Sequence, residues 1–182
     1  QLSECFRDAC VYGTGVLKVC EEEGRACVER VNPKGIVVDD GEGEDLKPRN
    51  MYQRRYVDRL VAKDLWASGD TEEAKKLAQL IEDCPRDSDD VEAGYRTTAD
   101  AILVTEAWHL GENDKTPGRW CVVIEGATLV DVEWKGPFPF SFLRWARDEG
   151  GFFGVGLAEE LRGIQNQINK LLQQIEKGHH LI

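Results

Sequence analysis

Residues 157–177 read LAEELRGIQNQINKLLQQIEK. Leu157, Leu161, Ile164, Ile168, Leu171 and Ile175 recur at alternating steps of four and three, and Leu172 widens the stripe. That is a seam of period 3.5, the signature of an amphipathic helix of about two and a half heptads. Arg162, Gln165, Asn166, Asn169, Gln173 and Glu176 fall on the opposite face. An apolar seam needs a cover, and strands predicted upstream need a helix over their own apolar face. The expectation favours packing inside its own domain, with packing against a neighbouring subunit as the alternative.

Outward from that helix, the run Gly150 to Gly156 reads as a flexible, glycine-permitted approach to it. Phe138, Phe140 and Phe142 alternate with Pro139 and Ser141, which predicts an extended edge segment with three rings on one face. Ala101 to His109, Arg119 to Glu125 and Thr128 to Trp134 are β-rich and separated by Gly- or Pro-containing turns. Cys84 to Thr98 is polar and acidic, an exposed loop or small insertion. Ala74, Leu77, Ala78 and Ile81 form a helical stripe, with Asp70 and Glu73 as a capping box and Pro85 as its stop. Asp58 caps a shorter helix through Leu60, Val61 and Leu65, and Met51 to Val57 precedes it as a strand.

Asp39 to Arg49 has no periodicity and reads as a loop. Gly35 to Val38 is a short strand, and the runs Val16–Val19 and Ala26–Val31 form a hairpin around the turn Glu21 to Gly24. Leu2, Phe6, Ala9 and Cys10 make the end of a helix that Gly13-Thr14-Gly15 stops. The fold class is α+β: short antiparallel strands and hairpins, flanking helices and one long C-terminal amphipathic helix. Residues 1–145 are expected to form one α+β body with a polar helical or loop insertion at about 70–99, and residues 146–182 a glycine-rich turn and long helix. Both ends read as cut from something larger, since the chain opens within a helical pattern and stops just after one.

The 182 residues carry a formal charge of −11. Neutralising many phosphates requires clustered Lys and Arg, and here the clusters are acidic: Glu21-Glu22-Glu23, Asp39 to Asp45 and Asp87 to Glu92. These are expected to be solvated loops, with duplex binding weak and salt-sensitive at most. No apolar run approaches the roughly 20 residues that cross a bilayer. Six cysteines, at 5, 10, 20, 27, 84 and 121, include no C-x-x-C pair and no regular disulfide framework. Most lie in apolar stretches, as small hydrophobes do in a reducing compartment, and the spacing leaves open whether any two are paired.

Chemistry-bearing motifs are absent. The glycine run before the last helix has no Lys-Ser or Lys-Thr and no G-x-G-x-x-G order, so it is not a phosphate loop. Neither acidic loop has the alternation and central glycine of a calcium site. His179 and His180 are adjacent and point apart on regular structure. A Cys121 nucleophile with a His109 base is the one conceivable catalytic pair, and nothing local supports it. No catalytic, cofactor-binding or metal-ligating residue is assigned.

Three stretches carry a family resemblance. Asp8-Ala9-Cys10-Val11-Tyr12-Gly13-Thr14-Gly15-Val16-Leu17-Lys18-Val19, followed by Val28-Glu29-Arg30-Val31-Asn32-Pro33, resembles the helix and hairpin of bacteriophage portal proteins, and Gln53 to Arg59 resembles a further piece. Pro137-Phe138-Pro139-Phe140-Ser141-Phe142-Leu143-Arg144-Trp145, then Gly154 to Leu161 and Ile164 to Asn169, resembles the segment leading into a long helix of that family. The stretches occur in the family's order, and residues 70–99 match no part of it. The resemblance implies a wing-like body and a structural subunit of a ring, usually of twelve copies, at one capsid vertex of the virion, assembled in the bacterial host cytoplasm. It implies self-association, docking of the terminase large subunit and of head-completion or tail adaptor proteins, and contact with major capsid or scaffolding protein. Double-stranded DNA would pass through for packaging and ejection without sequence-specific binding, with no cofactor, no membrane and no active site. The alternatives are an interaction or adaptor domain of another virion protein, and a cysteine-dependent hydrolase using Cys121 and His109.

Overall fold

The computed structural model describes residues 1–22, 24–43, 47–85, 89–90, 95–96, 100–112 and 116–179. The fold is α+β. Contacts divide the chain into two compact units, Gln1–Pro33 with Pro139–Ile182, and Lys34–Phe138, so the second is inserted in the sequence of the first.

The first unit begins with α1 (Leu2–Tyr12), then the hairpin β1 (Thr14–Glu22) and β2 (Arg25–Val31). Gly13 ends α1 in the left-handed conformation, and its N–H donates to the Ala9 carbonyl at 3.0 Å, a common helix C-terminal device. Cys5, Asp8 and Ala9 are the buried face of α1, and Val16 and Val31 are buried on the strands. Asp8 accepts a fork from Arg30, Nε to Oδ2 at 2.6 Å and Nη2 to Oδ1 at 2.8 Å, which pins the helix to β2.

The second unit carries a 3₁₀ turn (Pro33–Gly35, its first residue in the other unit), β3 (Ile36–Val37), α2 (Asp40–Gly43), β4 (Asn50–Asp58), α3 (Arg59–Trp66), α4 (Glu72–Asp83), the two-residue ladder β5 (Asp89–Asp90) and β6 (Tyr95–Arg96), and β7 (Ala101–His109), β8 (Gly118–Ile124) and β9 (Ala127–Trp134). Its main sheet has the order β3-β4-β7-β8-β9, all antiparallel. Alternation along β4 and β7 puts Met51, Gln53 and Val57 on the same buried face as Ile102, Val104, Glu106 and Trp108. α3 and α4 cover one end of that face: Ala62 and Ile81 join Val57, Ile102, Val104, Val122, Ile124 and Leu129 in one core, with Trp66 and Leu77 against it. Each large aliphatic side chain buried there contributes about 1.5–3 kcal/mol.

The chain then returns to the first unit through β10 (Phe140–Arg144), β11 (Ala146–Arg147), β12 (Gly154–Val155) and α5 (Leu157–His179). β10 pairs with β1 and is an edge of the sheet β10-β1-β2, as the prolines before it predict.

Several local expectations change. Thr71, not Asp70, caps α4, its hydroxyl accepting from the Ala74 N–H at 3.1 Å. Asp58 does cap α3, but Leu60, Val61 and Leu65 face solvent, because the helix packs through Arg59, Ala62 and Trp66. The acidic loop 39–49 contains α2: Asp39 accepts from the Gly41 and Glu42 N–H groups, and Glu42 accepts from the Arg49 and Asn50 N–H groups at 2.9 and 3.0 Å. Phe140 and Phe142 share a face of β10 with centroids 6.3 Å apart, whereas Phe138 precedes the strand and belongs to the other unit. The expected boundary near residue 145 is replaced by divisions at 33/34 and 138/139, because β10 pairs with β1 and α5 packs near α1. Most of the polar stretch 84–98 and of the run Asp87 to Glu92 lies outside the described residues.

The largest difference concerns α5. No residue of this 23-residue helix is buried, and Leu161, Ile164, Ile168, Leu171, Leu172 and Ile175 are between 44% and 63% exposed. The seam does not cover the strands of its own domain. Those strands are covered by α1 in the first unit and by α3 and α4 in the second. Among the described residues, no helix is long and apolar enough to cross a membrane.

Candidate functional site

The helix α5 starts, within the first unit, at a junction built by two stretches far apart in sequence. Gly13 and Gly154 touch backbone to backbone: a Cβ on Gly13 would sit 1.8 Å from the Gly154 carbonyl oxygen. The Gly154 N–H donates to the hydroxyl of buried Thr14 at 2.7 Å, and the Trp145 N–H donates to the Gly13 carbonyl at 3.0 Å. Gly15 lies against α1, where a Cβ would fall 2.0 Å from the Cys5 carbonyl oxygen. Glycine is required here because only bare backbone allows so close an approach.

The run expected to be a flexible approach is instead packed. Phe152 is buried, with its ring edge-on to Phe142 at 4.9 Å, and the Arg144 guanidinium lies 4.6 Å from the Phe152 ring and 5.4 Å from the Phe142 ring. Arg144 Nε donates to the Phe152 carbonyl at 2.8 Å, and burial pushes the Arg144 pKa down. Sequence reading missed Phe152 because glycines on both sides of it signal freedom, and the alternation that would mark a buried ring is absent.

On this base stands α5, about 35 Å long at 1.5 Å per residue. Its first turn is tied down by the Glu159 and Glu160 N–H groups donating to the Gly156 carbonyl, and Trp145 Nε1 donates to Glu160. Beyond that turn the helix presents an uninterrupted apolar stripe. On α1, Leu2 and Phe6 are also exposed, and Phe6 meets Trp145 edge-on at 6.3 Å. This contiguous exposed apolar stripe makes α5 the candidate interaction surface.

The conceivable catalytic pair, Cys121 on β8 and His109 on β7, lies diagonally across one sheet face, but each side chain is engaged with the strand on its far side. Cys121 on β8 stands opposite Ala107 on one side and Asp131 on the other, and its sulfur is 3.4 Å from Asp131 Oδ1. His109 stands opposite Arg119 and Asn50, and its Nδ1 lies 2.7 Å from Asn50 Oδ1. The two side chains therefore engage opposite neighbouring strands. Burial, then the hydrogen bond and charge of Asp131, push the Cys121 thiol pKa up, which opposes the thiolate a nucleophile requires. Asp131 is itself held below the usual carboxylate range, first by its hydrogen bond with Arg119, and is a poor base. Among the described residues, no group of three or more His, Cys, Asp or Glu side chains is arranged to hold a metal ion.

No family model matches the sequence, and no curated protein matches it.

Proposed function

We propose that this chain is part of the structural subunit of a bacteriophage portal ring, the channel for double-stranded DNA packaging and ejection and the docking site for terminase and head-to-tail connector proteins. The observation that carries the reading is the exposed stripe of α5, a helix that calls for an apolar neighbour from another part of the assembly. The resembling stretches support it. Tyr12-Gly13-Thr14-Gly15 and Gly154-Val155-Gly156, separated by well over a hundred residues, interlock at the base of that helix. A charge of −11 suits a conduit, because each retained phosphate contact slows translocation. The same single apolar face also favours a second reading, an adaptor domain of another virion protein, which would bind a different chain without forming a ring.

One substitution separates these readings from a merely solvent-facing helix. Ile168→Asp puts a carboxylate in the middle of the stripe. In the 182-residue chain that side chain is 44% exposed, so thermal unfolding should change by no more than about 0.5 kcal/mol. At a subunit interface an unpaired buried carboxylate costs several kcal/mol. Negative-stain images of the protein from its whole gene should show rings with a central hole, and Ile168→Asp should abolish them. Wild-type particles without a central channel would overturn the portal reading. Rings that survive Ile168→Asp would remove α5 from the interface.

A further inference from the structure

The hairpin of β1 and β2 sets Cys20 directly opposite Cys27. Opposed residues on antiparallel strands have Cα atoms about 4.5–5.5 Å apart in either kind of ladder pair. That lies inside the roughly 4.4–6.8 Å that a disulfide spans. A slip of one residue would turn one sulfur to the other face, but the register holds from Val16↔Val31 to Glu22↔Arg25. The Cys20 thiol already points at its partner, with Sγ 3.7 Å from the Cys27 carbonyl oxygen. Both cysteines are free and half-buried.

The other four cysteines are placed differently. Cys5 and Cys10 are five residues apart on α1, which sets them on different helix faces. Cys84 is part of the buried core of the second unit, whereas Cys121 is on β8 and is engaged with Asp131.

We propose that Cys20 and Cys27 are a modification site, closing to a reversible cross-strand disulfide by exchange with a small-molecule disulfide such as oxidised glutathione. One cysteine thiolate attacks a glutathione sulfur, forming a mixed disulfide and expelling one glutathione thiolate. The second cysteine, deprotonated, then attacks the protein sulfur of that mixed disulfide, forms the Cys20–Cys27 bond and expels the second glutathione thiolate. The two cysteines lose two electrons and two protons, and oxidised glutathione is reduced to two thiols. The Cys20 thiol is held above its ordinary pKa by burial first and then by Glu29 and Cys27, with Lys18 opposing, so exchange should be slow near neutrality and faster as pH rises.

The test is incubation of the 182-residue chain with oxidised glutathione, followed by acid quench, thiol titration after denaturation, and mass spectrometry. The expected product is monomeric, has lost two of its six thiols, and is lighter by about 2 Da. Trypsin cuts after Lys18, Arg25 and Arg30, so the bond should appear as peptide Val19–Arg25 linked to peptide Ala26–Arg30. Cys20→Ser and Cys27→Ser should each retain glutathione on the remaining hairpin cysteine. The proposal is overturned if all six thiols persist, if wild type stops at glutathione adducts on Cys20 or Cys27, or if the linked peptides come from other cysteines.

Discussion

Gly13→Ala should destabilise the unit formed by residues 1–33 and 139–182 by about 2–5 kcal/mol. Gly13 has φ +85°, and a Cβ there would meet the Gly154 carbonyl oxygen at 1.8 Å and its carbonyl carbon at 2.4 Å. The left-handed conformation costs an alanine about 1–2 kcal/mol. Overpacking adds about 1–3 kcal/mol, and here the obstacle is backbone that is itself hydrogen-bonded through Gly154 N–H to Thr14. The sum is a large part of the roughly 5–15 kcal/mol that holds a domain folded. Gly24→Ala is the control: its φ is +76° but a Cβ would meet nothing within 4 Å, so it should lose only the conformational part. Denaturant unfolding measures the difference, and hydrogen exchange locates it. Amides of β1 and β10 should lose protection in Gly13→Ala while those of β7 and β8 keep it. Equal losses for the two variants would mean that the junction relaxes, and that its close packing is not what anchors α5.

The second large effect is expected at Arg59, a buried guanidinium at the C-terminal end of α4. Its Nη1 donates to the carbonyls of Ile81, Glu82 (2.9 Å) and Cys84 (3.1 Å), while Nε and Nη2 take Asp100 in a fork at 3.0 and 3.1 Å. The hydrogen bond with Asp100, more than its charge, raises the Arg59 pKa further, so the group stays cationic throughout the folded range. Removing it takes this donor from three carbonyls at a helix end, and each buried carbonyl left unsatisfied costs about 1–3 kcal/mol. Arg59→Ala should therefore destabilise the second unit by about 3 kcal/mol or more. Arg59→Lys should rescue only part of that, since an ammonium cannot fork a carboxylate and serve a row of carbonyls together. Asp100, at 59% side-chain exposure, is the weaker partner, and Asp100→Asn should cost about 0–1 kcal/mol. Urea unfolding of the three variants tests the ranking. A loss for Asp100→Asn as large as for Arg59→Ala would place the energy in the ion pair instead of the helix end.

Neither residue announces its role in the sequence. Arg59 sits within Gln53–Arg59, where three arginines look alike by composition, and only packing distinguishes it. Arg54 is exposed and Arg55 lies on the sheet face against Glu106 at 3.1 Å, whereas Arg59 opens a helix aimed at the end of another. The glycines of 13–15 and 154–156 were legible as turns, but their mutual contact joins residues about 140 apart, which no local pattern encodes. Likewise the spacing of Cys20 and Cys27 means little until the hairpin register puts them face to face.

What the sequence determined by itself was local: α1, the first hairpin, β4, β7, β8, β9, α4 and α5 follow from the periods of their apolar residues and from turn-forming Gly, Pro and Asp. Those signals act over a few residues, so they survive without knowledge of the fold. Tertiary structure alone decided which surfaces those elements spend on one another. The seam of α5 has the same pattern whether it is buried or bare. It is bare because α1 already packs against the strands of the unit that α5 belongs to, and no residue of α5 is buried.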